Sequence, residues 1–317
     1  MLLNVPDAVE CALLFDRPFT GVGPDVIARI LSLKFAGQTG PFRHTGSFGP
    51  TNVLACDKEI LVFVSDNDAP LDPRGFREAL SSIYNLSIFP GVDGRVADHT
   101  GTIFITVCNQ PPMPAEARRL ASIKDPPSTP AMVELKIRIC HFLAAYISRQ
   151  SRPTAIHWCQ SNQIVHPGFF EELAEAPFPN QLHVHPRLFR ESDENGRELV
   201  GFLTLGAKYV IGREIVFKPS AAEFAWKYER TMQFLKMAQL NGHRVIPDGE
   251  SFGATADEVI GVRHLETSPY GQPVIQLEVV RGPIPGMGLP QQQRADSAPR
   301  PSERQPAPRV FGKRKPG

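Results

Sequence analysis

"TAIHWCQSNQIVHPGFFEELAEA", residues 154–176, decides how the rest of the chain is read. Residues 154–160 have the composition of a strand, and alternation puts Ile156 and Trp158 on one face and His157 and Cys159 on the other. Pro167 then opens a short helix over 167–176, since a missing N–H is harmless in the first turn. A strand running into a helix here starts a new unit. It continues as a hairpin, "LHVHPRLFRE" (182–191) and "ELVGFLTLGAK" (198–208), joined across "SDENGR". A long helix follows over 220–242, with Ser220 and Glu223 as a capping box and Phe224, Tyr228, Met232 and Leu235 as its apolar stripe. "PVIQLEVV" (273–280) closes the unit as a strand.

The same order is legible upstream. "AVECALLF" (8–15) is a strand, "GPDVIARILSLKF" (23–35) a helix entered through Pro24, and "TNVLAC" (51–56) and "EILVFVS" (59–65) are two strands. "DPRGFREALSSIY" (72–84) is a helix capped by Asp72, and "GTIFITVC" (101–108) is the last strand. The expected architecture is therefore α+β, with two ferredoxin-like (β-α-β-β-α-β) halves. Residues 1–110 form the first half and 151–280 the second. Between them, 111–150 hold a Pro-rich linker and a connecting helix at 131–149. Residues 281–317 carry eight prolines and almost no large apolar side chains, so this tail is expected to be disordered.

The formal net charge of +1 hides an asymmetry: the tail has eight Lys or Arg against Asp296 and Glu303, a net +6, which leaves −5 for residues 1–280. The five cysteines are widely spaced and include no C-x-x-C, which argues against both a disulfide framework and a cysteine zinc finger. "MLLNVPDAVECALLF" lacks the basic start of a signal peptide, and no apolar run approaches the roughly 20 residues of a membrane span, so a cytoplasmic location is expected.

His157 with Cys159, and His183 with His185, are two pairs of zinc-type donors on strands. Four ligands would converge only if the two strands were neighbours with the same face inward. Half-buried structural histidines are the simpler reading, so neither metal nor cofactor is expected. His183, His185 and Arg187 would share a face of an extended 182–190 and could form an anion surface. Nucleophile-elbow, P-loop, zincin and zinc-deaminase motifs are absent. Asp66, Asp68 and Asp72 lie on a polar loop that lacks the glycine and terminal Glu of a calcium loop.

"FLTLGAKYVIGREIVF" (202–217), the long helix, "PDGESFG" (247–253) and "GVRH" (261–264), in that order, resemble the bacterial domain of unknown function 4261 family. Thr204, Gly206, Gly212, Glu214, Ile215, Asp248, Gly249 and Gly253 match its pattern, while Ala207 stands for the usual Leu and Glu250-Ser251 for Asp-Thr. Upstream, Trp158, His166 and Phe169 look like a second family segment and His99 with "TGTIFITV" like a third. The likeness covers most of 8–280 and is strongest in 154–280. It implies a two-part α+β fold and brings no activity, cofactor or catalytic residue.

These readings point to a non-enzymatic binding or regulatory protein acting through protein–protein contacts. Its candidate binding residues are His166, Trp158, His183, His185 and Arg187, with no catalytic residue assigned. One alternative is a hydrolase-like enzyme with a site near His166 and Trp158 between the halves, using histidines as acid–base groups. Another is weak nucleic-acid association through the basic tail, 281–317.

Overall fold

In the computed structural model, residues 8–109, 128–174 and 176–282 are described. Seven strands make the first sheet: β1 (Val9–Phe15), β2 (Arg43–Phe48), β3 (Thr51–Ala55), β4 (Leu61–Asn67), β5 (Gly101–Cys108), β6 (Ala155–Trp158) and β7 (Gln163–Val165). Their order is β2-β3-β4-β5-β1-β6-β7, and every pair is antiparallel. A second sheet contains β8 (His185–Ser192), β9 (Glu198–Leu205), β10 (Glu214–Ser220), β11 (Ser251–Phe252), β12 (Val259–Leu265) and β13 (Val274–Arg281). Its order is β11-β12-β13-β10-β9-β8, with β10 and β13 parallel.

The fold is mixed α+β, but the expected ferredoxin-like pattern is not what the first sheet shows. That pattern sets the first strand beside a parallel partner; here β1 lies between β5 and β6, antiparallel to both. The 154–160 strand, read as the opening of a second half, completes the first sheet by pairing Cys11 with Trp158 and Leu13 with Ile156. Residues through Gly282 form one compact unit. Most of the Pro-rich linker and of the tail expected to be disordered falls on 110–127 and 283–317, outside the described residues.

Strand β1 is buried on both faces. Cys11, Leu13 and Phe15 point to one side with Ile156 and Trp158, under helices α1 (Pro24–Thr39) and, in chain order further on, the long helix at Pro130–Ser151. Ala12 and Leu14 point to the other with Ile164. That side is covered by a 3₁₀ turn (Pro73–Phe76) and three short helices, α2 (Arg77–Leu80), α3 (Ile83–Ile88) and α4 (Val92–Ala97). Pro24 at the first turn of α1 and Gly40 after its end fix its limits, and Ile27, Leu31 and Phe35 at four-residue spacing form its buried face. The long helix, α5 (Pro130–Ser151), starts with Thr129 accepting from the Met132 N–H and stops at Arg152, whose φ is 53°. It packs on β1 and β5 and against α1, α6 (Pro167–Leu173) and α8 (Lys208–Ile211), which follows β9. It is therefore the joint between the sheets.

Helix α9 (Phe224–Leu240) covers the second sheet. Its expected stripe is present, but Trp226 and Phe234 are its deepest aromatics. The capping box is not formed: Ser220 closes β10, and Glu223 at the N-cap makes no side-chain bond. Lys227 Nζ instead donates to the carbonyls of Val200 and Ser220. Among the described residues no helix is long and apolar enough to cross a membrane.

Candidate functional site

Because β6 pairs with β1, Trp158 lies in the core of the first sheet, fully buried. Its ring centroid is 4.7 Å from that of His183 and 6.1 Å from those of His141 and Phe170. His141 comes from α5, Phe170 from α6, and His183 ends the short helix α7 (Asn180–His183). The two imidazoles stand edge to face with centroids 5.2 Å apart, and Phe170 lies 4.5 Å from His141. The Trp158 indole N–H has no acceptor among the described residues, and His183 Nε2 has no partner there either. Burial first, and then the neighbouring His141, holds the His183 pKa well below the usual histidine range, so the ring is neutral.

His183 and His185 do not share a strand face, because the chain is helical at 180–183 and extended only from His185. His185 turns to α3, where its Nε2 is 2.8 Å from Ser82 Oγ and its ring packs edge-on against Tyr84; burial lowers its pKa to about 4. Arg187 lies further along β8 and pairs with Glu78 at 3.4 Å. His166 is elsewhere again. It caps α6, its Nδ1 accepting from the Gly168 N–H at 3.1 Å, and its ring stands on the edge of Phe89. The five candidate residues thus occupy separate environments, and only Trp158 and His183 meet. Among the described residues no group of three or more His, Cys, Asp or Glu is arranged to hold a metal. Cys159 Sγ lies 3.8 Å from His157 Nδ1, but burial and then the Glu10 carboxylate push the thiol pKa up, away from nucleophilic use at neutral pH.

What the structure does bring together is a cleft of about 430 Å³ above the imidazole pair, within the range of small-molecule sites. His141 and His183 form its floor, and Phe35, Phe142, Phe178 and Tyr209 supply its aromatic walls. Cations stand at the mouth: Lys34 Nζ lies 5.9 Å from the Phe142 ring centre and Arg138 Cζ 5.9 Å from that of Phe35. Tyr209 has its pKa raised to about 12 by burial and then by Glu10, Glu214 and Cys159, so its hydroxyl stays a donor. At one end His243 donates through Nδ1 to the Val210 carbonyl (3.1 Å) and lies 2.8 Å from Glu134 through Nε2. Burial alone would lower the His243 pKa; the Glu134 and Val210 bonds outweigh it and raise the pKa.

Lys34, Arg138, His141, Tyr209 and Gln239 are cleft residues that the sequence reading missed. They come from α1, α5, α8 and α9, and no local spacing marks them.

Of the residues that carry the sequence resemblance, Glu214 and Gly206 lie at the turn that presents His183. Glu214 is buried and accepts from Thr204 Oγ1 (2.8 Å), the Gly206 N–H (2.8 Å) and the Ala207 N–H (3.0 Å). Burial raises its pKa to about 7 against the lowering effect of those bonds. Gly206 has φ 103°, and a Cβ there would lie 2.1 Å from the His183 carbonyl oxygen. The glycine therefore lets the end of β9 press against the turn that presents His183. Asp248 Oδ1 accepts from the His264 N–H at 2.7 Å, and a Cβ on Gly253 would lie 2.1 Å from the Glu258 carbonyl oxygen. Searches against protein-family models, curated proteins and solved structures found no match for this chain.

Proposed function

We propose that this is a non-catalytic binding protein whose site is the cleft between α1, α5, α7 and α8, and that its ligand is an organic anion with a flat apolar body. The observation that carries the proposal is the pairing of Lys34 and Arg138 with the aromatic walls above the two imidazoles, of which His183 is held neutral by burial. The rings match an apolar body, and the cations at the mouth match a carboxylate or similar head. The hydrolase-like alternative draws little support, since His166 and Trp158 do not share a site and the Cys159–His157 pair holds a protonated thiol. We retain with the main proposal a regulatory role exerted on a protein partner, a cytoplasmic location, and kinship with the domain of unknown function 4261 family, which rests on the motif residues alone.

Naphthoate, benzoate and acetate, titrated at constant ionic strength and followed by thermal unfolding, test the proposal. The expected result is a saturable rise in Tm that is largest for naphthoate and smallest for acetate, and that Arg138→Glu removes. No saturable rise with any of the three, or a rise that Arg138→Glu and Lys34→Glu both leave intact, would overturn it.

A further inference from the structure

On the far side of α6 a second depression, of about 330 Å³, gathers arginines from two parts of the chain. Arg95 is on α4, Arg149 is in the last turn of α5, and Arg152 caps that helix in the left-handed conformation, with its N–H on the Ser148 carbonyl at 2.8 Å. Among the described residues neither Arg95 nor Arg152 has an ion-pair partner. Two further donors complete the lining. The Thr154 hydroxyl is buried and without a hydrogen-bond partner among the described residues, while the Thr154 N–H is fixed on the Leu14 carbonyl at 2.7 Å. His166 accepts from the Gly168 N–H through Nδ1, so its neutral ring must carry its proton on Nε2. Phe89 holds that ring edge-on, with centroids 5.3 Å apart.

Among the described residues the one carboxylate in the lining is Glu171. Its Oε1 accepts from Ser148 Oγ at 2.5 Å, and its main-chain carbonyl accepts from Arg149 at 3.3 Å. Arg95 and Arg152 against the Glu171 carboxylate leave a formal +1 among the described residues before Arg149 and His166 are counted. Concentrating positive charge in one concavity is unfavourable unless an anion offsets it. Forked guanidinium donors, a hydroxyl and an imidazole N–H match the several acceptor oxygens of a tetrahedral oxyanion.

We propose that this depression is a phosphate site, taking inorganic phosphate or the phosphate group of a small monoester. The site is separate from the aromatic cleft: Arg149 lines both, whereas Arg95, Arg152, Thr154 and His166 line only this one. It gives His166 a role that Trp158 does not share.

Isothermal titration of the full chain with inorganic phosphate and with phenyl phosphate, at ionic strength fixed with chloride, tests it. Saturable binding of at least one probe is expected, weakened about tenfold or more by R95Q and by R152Q and unaffected by R138Q, which alters only the cleft. Tighter binding of phenyl phosphate would mark a monoester site, and tighter inorganic phosphate a free-ion site. Arg95 and Arg152 are exposed, so both variants should melt as the parent does in phosphate-free buffer; should one fail to fold, the other decides. The proposal is overturned if neither probe binds saturably, or if R95Q and R152Q bind as tightly as the parent. Loss of binding in R138Q together with retention in R95Q would equally overturn it, by assigning the anion to the cleft.

Discussion

Two buried clusters, one by each sheet, handle polar groups in opposite ways. The one by the second sheet is charged and closely paired. Arg230 makes a two-pronged bond to Glu258, at 2.8 Å on each oxygen, and Glu258 also accepts from the Trp226 indole (3.1 Å) and the Ala254 N–H (3.1 Å). Around Trp158, by the first sheet, the cluster is of aromatic and imidazole rings, and Trp158 Nε1 and His183 Nε2 lack partners among the described residues. Satisfied networks fix a structure, whereas unsatisfied buried donors call for an explanation outside scaffolding. On the reading proposed above, the difference separates a frame from a site: Glu214 and Gly206 belong to the frame, and the cleft opens where the rings are.

The largest test of that contrast is Trp158→Ala. The indole is fully buried among His141, Phe170 and His183, and its removal should cost about 3–5 kcal/mol, read from urea denaturation. A cost below about 1 kcal/mol would show that the ring cluster is not part of the first core.

Acid should separate the buried histidines from Glu214 by sign. The His185 pKa is lowered to about 4 in the folded chain, against about 6.5 when unfolded, so between these values the unfolded state binds more protons. Stability falls as pH drops from about 6.5 to 4, by on the order of 3 kcal/mol for this residue. His157 and His183, whose pKa values burial also lowers, act in the same direction. Glu214 acts in the opposite one. Its folded pKa, about 7, lies above the unfolded value, so its contribution is complete at low pH and is lost as pH rises to about 7. His185→Gln should therefore flatten the acid loss and Glu214→Gln should steepen it, in denaturation curves taken at half-unit pH steps. Identical pH profiles for the two variants would contradict the assignment.

A smaller effect is expected from Glu258→Gln, which keeps the shape of the second network but removes its charge. Hydrogen bonds to charged groups are worth about 1.5–3 kcal/mol, and a loss of that size should appear at pH 7 and shrink on acidification, because the Arg230 bond holds the Glu258 pKa below the usual carboxylate range. A loss that grows in acid would place the charge elsewhere.

The strands with strong apolar alternation were legible in the sequence, as were the helices with clear caps; β1, β5, β9, β13, α1 and α5 are examples. Strand β2 was not, because it is an edge strand with mostly exposed residues, "RHTGSF", and no buried face to impose a pattern. Strand β7 has only three residues, and β10 and β12 were absorbed into motif segments. The partner of β6 was illegible for a different reason. Alternation reports which side chains share a face and says nothing of which distant strand supplies the hydrogen bonds, so the faces of Trp158 and His157 could be read while their neighbours could not. "HVH" looked extended because its own pattern alternates, yet a short helix claims His183. The cleft was invisible because each wall comes from a different element. The arginine depression left one trace, the two arginines in "SRQSRP" (148–153), but Arg95 joins them only through the fold.

The smallest expected effect is at His157, one residue from the largest. Its ring points to the opposite face of β6, edge-on to Phe76 with centroids 5.1 Å apart, and its Nε2 lies 2.9 Å from Asn162 Oδ1. Removing one neutral hydrogen bond and a partly buried ring should cost about 1 kcal/mol at pH 7.5. The cost should shrink as pH falls. Burial lowers the His157 pKa despite the raising effect of Asn162, so below about pH 6.5 the parent spends stability keeping the ring neutral, and alanine does not. Denaturation of His157→Ala at pH 7.5 and pH 5 reads both statements at once. A difference from the parent that is large and independent of pH would mean that His157, and not Trp158, anchors the strand.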